Sequence, residues 1–473
     1  MRAPTASVQE AWTMGIEQND FIPALKSDVR LKPMNGYALA HGYHPSLIRM
    51  IDPSHAFFLA LCNGTFRPAE IAYLYGETFG LDADDADYQA SRLLDQHRMF
   101  LDFGGEPGEA VRFSPQDFLF PGDKGKIDGA AYGKWPVPAG INVTLTFKCN
   151  FNCSYCYQDL LQTGDNRWDL GKCRELVEEA ADWGVVFLGL TGGEPTIFKG
   201  WLELIEAGLK RGMIPTMTSN GTVIGSDPEI AQRLAAAGME EITISFDAPS
   251  AELHDEITRS KGQFPKVLNA VRYLVDAGLR VVIKSVLTPR TQHSVEPMID
   301  MLVTMGVHEI GISFMEGGAI ESGANAADNV SMDELRIVRD RVQAKRELYA
   351  GTCDIHPPKD AEKVWKDGDW YPCGGINMGM SIFPTGDVSV CDKMHGVKDF
   401  TYGNVFDRGL EAIWNGEAFA DLRERTVQPD LIDPDCAKCS KLYQCRTSCF
   451  VDAYNATGKY LAKDPHCGGP FFD

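Results

Sequence analysis

Three cysteines spaced Cys-x3-Cys-x2-Cys, at Cys149, Cys153 and Cys156, follow directly on the run Ile141, Val143, Leu145 and Phe147, whose apolar residues alternate with polar or small ones. A half-buried strand that breaks at once into a loop of thiols leaves few architectures open. Three thiolates in so short a loop suit a cubane iron-sulfur cluster, in which each of four irons wants one sulfur ligand. With three cysteines one iron stays open to a substrate or cosubstrate, which points to a reactive cluster more than to an electron relay. Spacing alone also fits a zinc knuckle or a redox-sensing loop.

The residues that follow alternate between strand and helix patterns. Strand-like runs at 185–190, 214–219, 241–246, 280–287 and 309–315 are separated by helical stretches, so with the first strand there are about six β-α units. The pattern predicts an α/β fold: a parallel sheet curved into a partial, TIM-like (β/α)6 barrel, with functional groups on the loops after the strand carboxyl ends. The second such loop is Thr191-Gly192-Gly193-Glu194-Pro195, where two glycines let backbone approach a ligand and Glu194 can accept a hydrogen bond from an ammonium group. Ser219, Asn220 and Gly221 end the third strand, Ser245 and Asp247 the fourth, and Arg259 follows in HDEITRSKG. Ordinary turn chemistry and a solvated charge are the plainer readings of these last groups.

With Tyr155 just before Cys156, this arrangement resembles the signature of radical S-adenosylmethionine (SAM) enzymes. The resemblance implies that the open iron chelates SAM, and that one electron cleaves a carbon-sulfur bond to give a 5'-deoxyadenosyl radical. It implies further that Gly192, Gly193 and Glu194 hold the SAM amino group, that Ser245 and Asp247 lie near the ribose and Arg259 near the carboxylate, with Tyr155 and Ser219 among the cofactor contacts.

On either side of the barrel, expected over 141–350, the sequence changes character. Residues 1–20 carry no pattern and read as a tail. Residues 21–103 begin with short strands joined at Asn35-Gly36, a strong hairpin signal, and continue with helices after Pro53, Pro68 and Asp82, with Gly64 and Gly80 as stops. A small sheet followed by three helices is a winged-helix-like α+β module. It resembles the precursor-recognition domain of ribosomal-peptide maturases, similar to the small peptide chaperone of pyrroloquinoline quinone synthesis, and that resemblance implies capture of a leader peptide as an added strand. Winged helices also bind DNA, but this segment is more acidic than basic. Residues 104–140, rich in Gly, Pro and Asp, read as a bridge. Cys62 and Cys173 fall on apolar helix faces and read as packed core thiols.

Residues 351–473 hold a second cysteine pattern: Cys373, twelve residues to Gly386, four to Cys391, then Cys436-x2-Cys439-x5-Cys445-x3-Cys449 and Cys467, with a hairpin at Pro384-Thr385-Gly386. Counting cysteines leaves two zinc sites open. The order resembles the SPASM iron-sulfur extension of peptide-modifying radical SAM enzymes. That implies a distal auxiliary 4Fe-4S cluster on Cys436, Cys439, Cys445 and Cys467 and a nearer one on Cys373, Cys391 and Cys449, three clusters in all. Cys353 is the upstream candidate for a fourth ligand of the nearer cluster, an open iron the alternative. Asp392, directly after Cys391, sits where related sulfatase-maturating enzymes carry a proton-abstracting aspartate, and a carboxylate beside a buried cluster suits a general base.

Composition narrows the partners. A net charge of -21 over 473 residues, without a local basic run, weighs against nucleic acid. Thirteen cysteines, no membrane-length apolar run and no secretion-like segment in MRAPTASVQE fit a cytoplasmic protein whose clustered cysteines bind metal. The expectation is a radical SAM maturase that crosslinks a ribosomally made peptide or small protein, with a Cys thioether foremost, served by a reductant such as flavodoxin or ferredoxin. Carbon-carbon crosslinking, epimerisation, formylglycine formation and a non-catalytic redox role are the alternatives.

Overall fold

From Gly140 onward the strand segments carry apolar residues at every second position and the intervening segments carry them at helical spacing, so the chain buries its apolar surface by laying helices on a sheet. The computed structural model describes residues 21–26, 29–33, 38–43, 46–103, 113–119, 137–156, 166–314, 330–358, 373–426, 428–445, 447, 449–465, 467 and 469–471. The Asn35-Gly36 turn, the tail and most of the expected bridge lie outside these residues. The chain divides into two compact units, residues 1–131 and 132–473.

In the first unit, β1 (Ala24–Leu25) pairs antiparallel with β5 (Leu101–Asp102), and β2 (Arg30–Pro33), β3 (Ala38–Tyr43) and β4 (Ser46–Ile51) form an antiparallel meander. Three helices follow where Pro and Asp signals place them. Asp52 caps α1 (Pro53–Leu61) by accepting from Ser54 N at 2.8 Å, and Asp82 caps α3 (Ala83–Gln96) by accepting from Asp85 N at 2.9 Å. Between them α2 (Pro68–Phe79) stops at Gly80, which takes the left-handed conformation at φ 68°. Helix α1 ends sooner than Gly64 suggested, with Cys62 as its cap. The core gathers Phe57, Phe58, Cys62, Tyr75 and Phe100; Phe118, from the segment expected as bridge, is buried in it too.

The second unit is built on one ten-stranded sheet. Strands β6 (Gly140–Thr144), β7 (Phe187–Thr191), β8 (Ile214–Ser219), β9 (Glu241–Ser245), β10 (Arg280–Leu287) and β11 (Glu309–Phe314) are the six expected parallel strands. Two features go beyond the sequence pattern. A three-residue strand, β12 (Asp354–His356), extends the parallel run beside β11. At the other side, β13 (Gly379–Ile382) pairs parallel with β6, Met380 opposite Ile141, and carries β14 (Asp387–Ser389) and β15 (Gly403–Asn404) antiparallel outward. The sheet stays open, with β12 and β15 as its edges.

Helices α4 (Leu170–Trp183), α5 (Trp201–Lys210), α6 (Pro228–Ala237), α7 (Ala251–Thr258), α8 (Phe264–Asp276), α9 (Val295–Thr304) and α10 (Met332–Leu348) connect the strands. Val143, Leu188, Ile242, Ile283 and Ile310 are buried in the shared core, each contributing roughly 1.5–3 kcal/mol. Their neighbours in the alternation, Thr191, Thr218, Ser245, Lys284 and Ser313, line a cavity instead. At the amino ends of the strands Arg280 donates to Glu309 at 2.8 Å and to Glu241, compensating charges there. Among the described residues no helix is long and apolar enough to cross a membrane.

Candidate active site

The strand carboxyl ends open on a cavity of about 330 Å³. Its wall includes all three cysteines of the loop after β6, together with Tyr155, Gly192, Gly193, Glu194, Ser219, Ser245 and Asp247. Eight of the expected cofactor and cluster residues of the barrel, besides Cys149 and Cys153, thus meet in one place.

The loop is held from two directions. Its Asn152 and Ser154 amides donate to the Thr258 and Ile257 carbonyls at the end of α7, at 3.0 and 2.9 Å, which uses carbonyls the helix itself leaves unpaired. On the other side Gly193 N donates to Thr146 O at 2.8 Å and Glu194 N to Lys148 O at 2.9 Å. This contact is why residues 192 and 193 are glycine: a Cβ would lie 2.5 Å from Thr146 O and 2.2 Å from Lys148 O. The glycines serve loop-on-loop packing, a requirement the ligand-approach argument did not include.

Glu194 differs from expectation in a similar way. Its buried carboxylate accepts from Thr196 N at 3.0 Å, the Thr196 hydroxyl, Ser219 Oγ at 2.8 Å and Asn220 N at 2.7 Å. Burial pushes its pKa up while these donors pull it back, so Glu194 braces the β7 and β8 loops to one another. Asp247 is a second brace: Oδ1 accepts from Val286 N at 2.7 Å and Oδ2 from the Tyr155 phenol, and burial pushes its pKa up to about 6.

Several sulfurs accept backbone N–H groups. Backbone amides donate to Cys149 from Phe151 at 3.3 Å, to Cys391 from Lys393 at 3.5 Å, to Cys439 from Phe471 at 3.3 Å and to Cys467 from Gly469 at 3.3 Å. Cys149 is reachable from the cavity, yet desolvation still raises its thiol to about 11, with the charges of Glu194 and Cys156 adding. Burial raises Cys153 further, with Asp247, Cys156 and Cys149 adding. Thiols this reluctant to ionise alone, converging with N–H donors aimed at sulfur, form a donor set that a cationic iron-sulfur cluster satisfies. Among the described residues no three His, Cys, Asp or Glu side chains are drawn close enough to hold one metal ion.

The C-terminal cysteines sort into two groups. Cys436, Cys439, Cys445 and Cys467 line a second, small cavity. Cys373 neighbours both Cys391 and Cys449: burial foremost raises their thiols, Cys449 to about 12, and the Cys373 charge adds to each. Cys353 joins neither group. It immediately precedes β12, beside Asp354, Glu309 and Arg280 at the amino ends of the strands, where the register of β11 and β12 fixes it away from the cysteine loop.

Two further candidates lie apart from the cavity wall. Arg259 is exposed and takes the left-handed conformation, φ 48°, as the cap of α7, outside the cavity wall; its neighbour Thr258 lines the cavity instead. After Cys391 the wall includes Lys393 and not Asp392, whose Oδ1 lies 3.4 Å from Cys391 Sγ. Lys284 and Asn220 also line the cavity. Lys284 interrupts the apolar run RVVIKSVL at the position paired with Ser245, a legible signal of a lumen-facing side chain. Cys62 and Cys173 are buried core thiols, as expected.

Residues 143–302 match the family model of the Radical SAM superfamily, and residues 373–440 that of the SPASM iron-sulfur cluster-binding domain. The chain is similar to the AdoMet-dependent heme synthase of Methanosarcina barkeri, 26% identical over 352 residues, covering 70% of this chain and 96% of that protein. It is also similar to the PqqA peptide cyclase of Xanthomonas oryzae pv. oryzae, 28% identical over 338 residues, covering 70% and 88%. Among solved structures, Streptococcus suis SuiB bound to S-adenosylmethionine shares the fold at a TM-score of 0.63 and 15% identity, covering 94% of this chain and 100% of that one. Native anSMEcpe with bound AdoMet shares it at a TM-score of 0.54 and 16% identity, covering 70% and 94%. The cysteine loop, the glycine loop and most of the strand ends around the cavity lie within residues 143–302, so the chain carries a Radical SAM domain followed by a SPASM iron-sulfur cluster-binding domain, the domain pair of a radical SAM enzyme.

Proposed function

We propose that this enzyme modifies a ribosomally made peptide or small protein, installing a crosslink of the Cys-thioether type. The observation that carries the reading is the cavity in which the cysteine-loop thiols meet Gly192, Gly193, Ser245 and Asp247. Cys149, Cys153 and Cys156 would hold the SAM-binding 4Fe-4S cluster; Cys373, Cys391 and Cys449 a nearer auxiliary cluster; and Cys436, Cys439, Cys445 and Cys467 a distal one. Bound there, the cluster and SAM would supply radical hydrogen-abstraction chemistry. The chain's own residues position that chemistry. Glu194 and Asp247 fix the loops around the cavity, and Ser245 presents a hydroxyl from β9. The SPASM cysteines would hold clusters that could supply an electron sink, with flavodoxin or ferredoxin as the external reductant.

A peptide substrate is supported by similarity to proteins named PqqA peptide cyclase and by the shared fold of SuiB, solved bound to precursor peptide SuiA. The meander of β2, β3 and β4 leaves two strand edges, and a leader peptide added along one of them is the role we assign to residues 21–103. The test is anaerobic incubation of the reconstituted enzyme with SAM, dithionite and candidate peptides encoded beside its gene. The expected result is 5'-deoxyadenosine and a loss of two hydrogens per crosslink, abolished by Cys153→Ala. SAM cleavage without any mass change across those peptides would sink the peptide reading, and no cleavage at all would sink the radical one.

A further inference from the structure

We propose that Asn220 is a positioning residue for Cys149, presetting the cysteine loop and setting the electron affinity of the cluster that Cys149, Cys153 and Cys156 would carry; this rests on the cluster assignment above. Asn220 directly follows β8 and is 7% exposed. Its side chain closes a three-membered hydrogen-bond ring with those of Asn150 and Thr222. Asn220 Nδ2 donates to Asn150 Oδ1 at 2.7 Å, Asn150 Nδ2 donates to Thr222 Oγ1 at 2.7 Å, and Thr222 Oγ1 donates back to Asn220 Oδ1 at 2.7 Å. The directions are mutually consistent: each group gives one hydrogen and takes one, so the bonds polarise each other in the same sense.

The ring sits where three loops meet. Asn150 is the residue after Cys149 in the cysteine loop, Thr222 lies in the loop after β8, and the Asn220 amide donates to Glu194 Oε2 at 2.7 Å in the glycine loop. One amide hydrogen of Asn220 Nδ2 goes to Asn150, and the same nitrogen makes a long N–H···S contact of 4.0 Å with Cys149 Sγ. A Phe151 amide reaches the same sulfur from the loop itself. Donors aimed at a ligand sulfur withdraw electron density and favour the reduced cluster, so an amide at this point raises the reduction potential. SAM contact is not needed for this role, which acts on the ligand loop.

The test measures potential and not turnover alone. In the full-length reconstituted enzyme, EPR-monitored titration should place the midpoint of the SAM-binding cluster lower in Asn220→Ala and Asn220→Asp than in wild type, with the auxiliary signals unmoved. Asn150→Ala, which opens the ring but keeps the Asn220 amide, should lower iron retention with a smaller shift. In the cluster-free chain, hydrogen exchange at the Asn152 and Ser154 amides of the cysteine loop should run several-fold faster in Asn220→Ala, a readout available even where that variant loads no cluster. An unshifted midpoint in loaded Asn220 variants, or an unchanged exchange rate at those loop amides in an unloaded one, overturns the proposal. Absence of a cluster signal in wild type would instead defeat the cluster assignment on which it rests.

Discussion

The Tyr155 phenol donates to one carboxylate oxygen of Asp247 while the other oxygen accepts the Val286 amide at 2.7 Å, so one buried side chain joins the cysteine loop to β10. Burial, with the Asp247 charge adding, raises the Tyr155 pKa well above its ordinary value and keeps the phenol a donor. Tyr155→Phe would strip a buried carboxylate of one partner, which costs roughly 1–3 kcal/mol. Urea unfolding of the cluster-free chain should show that loss; equal stability would mean the bond is not made in solution.

Gly193→Ala should be more damaging than its size suggests. The new methyl would stand 2.2 Å from Lys148 O, and backbone cannot yield as a side-chain tip can. The cysteine loop would have to shift, so iron bound after reconstitution and the cluster's visible absorbance should both fall several-fold. Gly212→Ala, where nothing lies within 4 Å but φ is 72°, controls for backbone strain alone.

Cys353→Ser and Cys391→Ser should separate. Cys353 stands beside Arg280, Glu309 and Asp354, so its replacement should leave iron content at the wild-type level. Cys391 neighbours Cys373, and its loss should remove close to one cluster's iron. Iron analysis of the two variants decides it, and an equal loss in both would return Cys353 to the ligand set.

His97 gives the first unit a pH dependence. Its Nε2 lies 3.1 Å from His55 Nδ1; burial first, and His55 second, lower its pKa from 6.5 to about 4. The unfolded chain therefore binds the proton more readily, and stability falls as pH drops from about 6.5 towards 4, by on the order of 3 kcal/mol in all. Calorimetry of the full chain at pH 7 and 5 should show the first unit's transition moving down, and His97→Gln should flatten that response.

Much of this was legible in the sequence where a pattern was long enough to repeat. Strands 214–219 and 280–287 begin and end at the residues the alternation marked, since each carries several buried positions on one side. Strand β12 carries one buried residue, Ile355, and one residue has no period. The identity of Gly192, Gly193 and Glu194 was readable, but their reasons were not. Those lie in the Thr146 and Lys148 carbonyls and in Ser219 and Asn220, contacts that exist only once loops from different strands are adjacent. Arg259 and Asp392 stand outside the cavity wall for a related cause. Each neighbours a cavity residue along the chain, and which of two adjacent side chains faces inward depends on the local turn of the backbone.

Because β13 hydrogen-bonds directly along β6, the auxiliary-cluster region is spliced into the barrel's margin instead of hanging from it by a tether. Truncation before residue 373 would strip the strand that delivers Cys149 of its neighbour and leave a raw edge prone to sticking to other chains. Barrel and extension therefore share one sheet, and any attempt to shuttle the extension between enzymes has to carry its partner strand along.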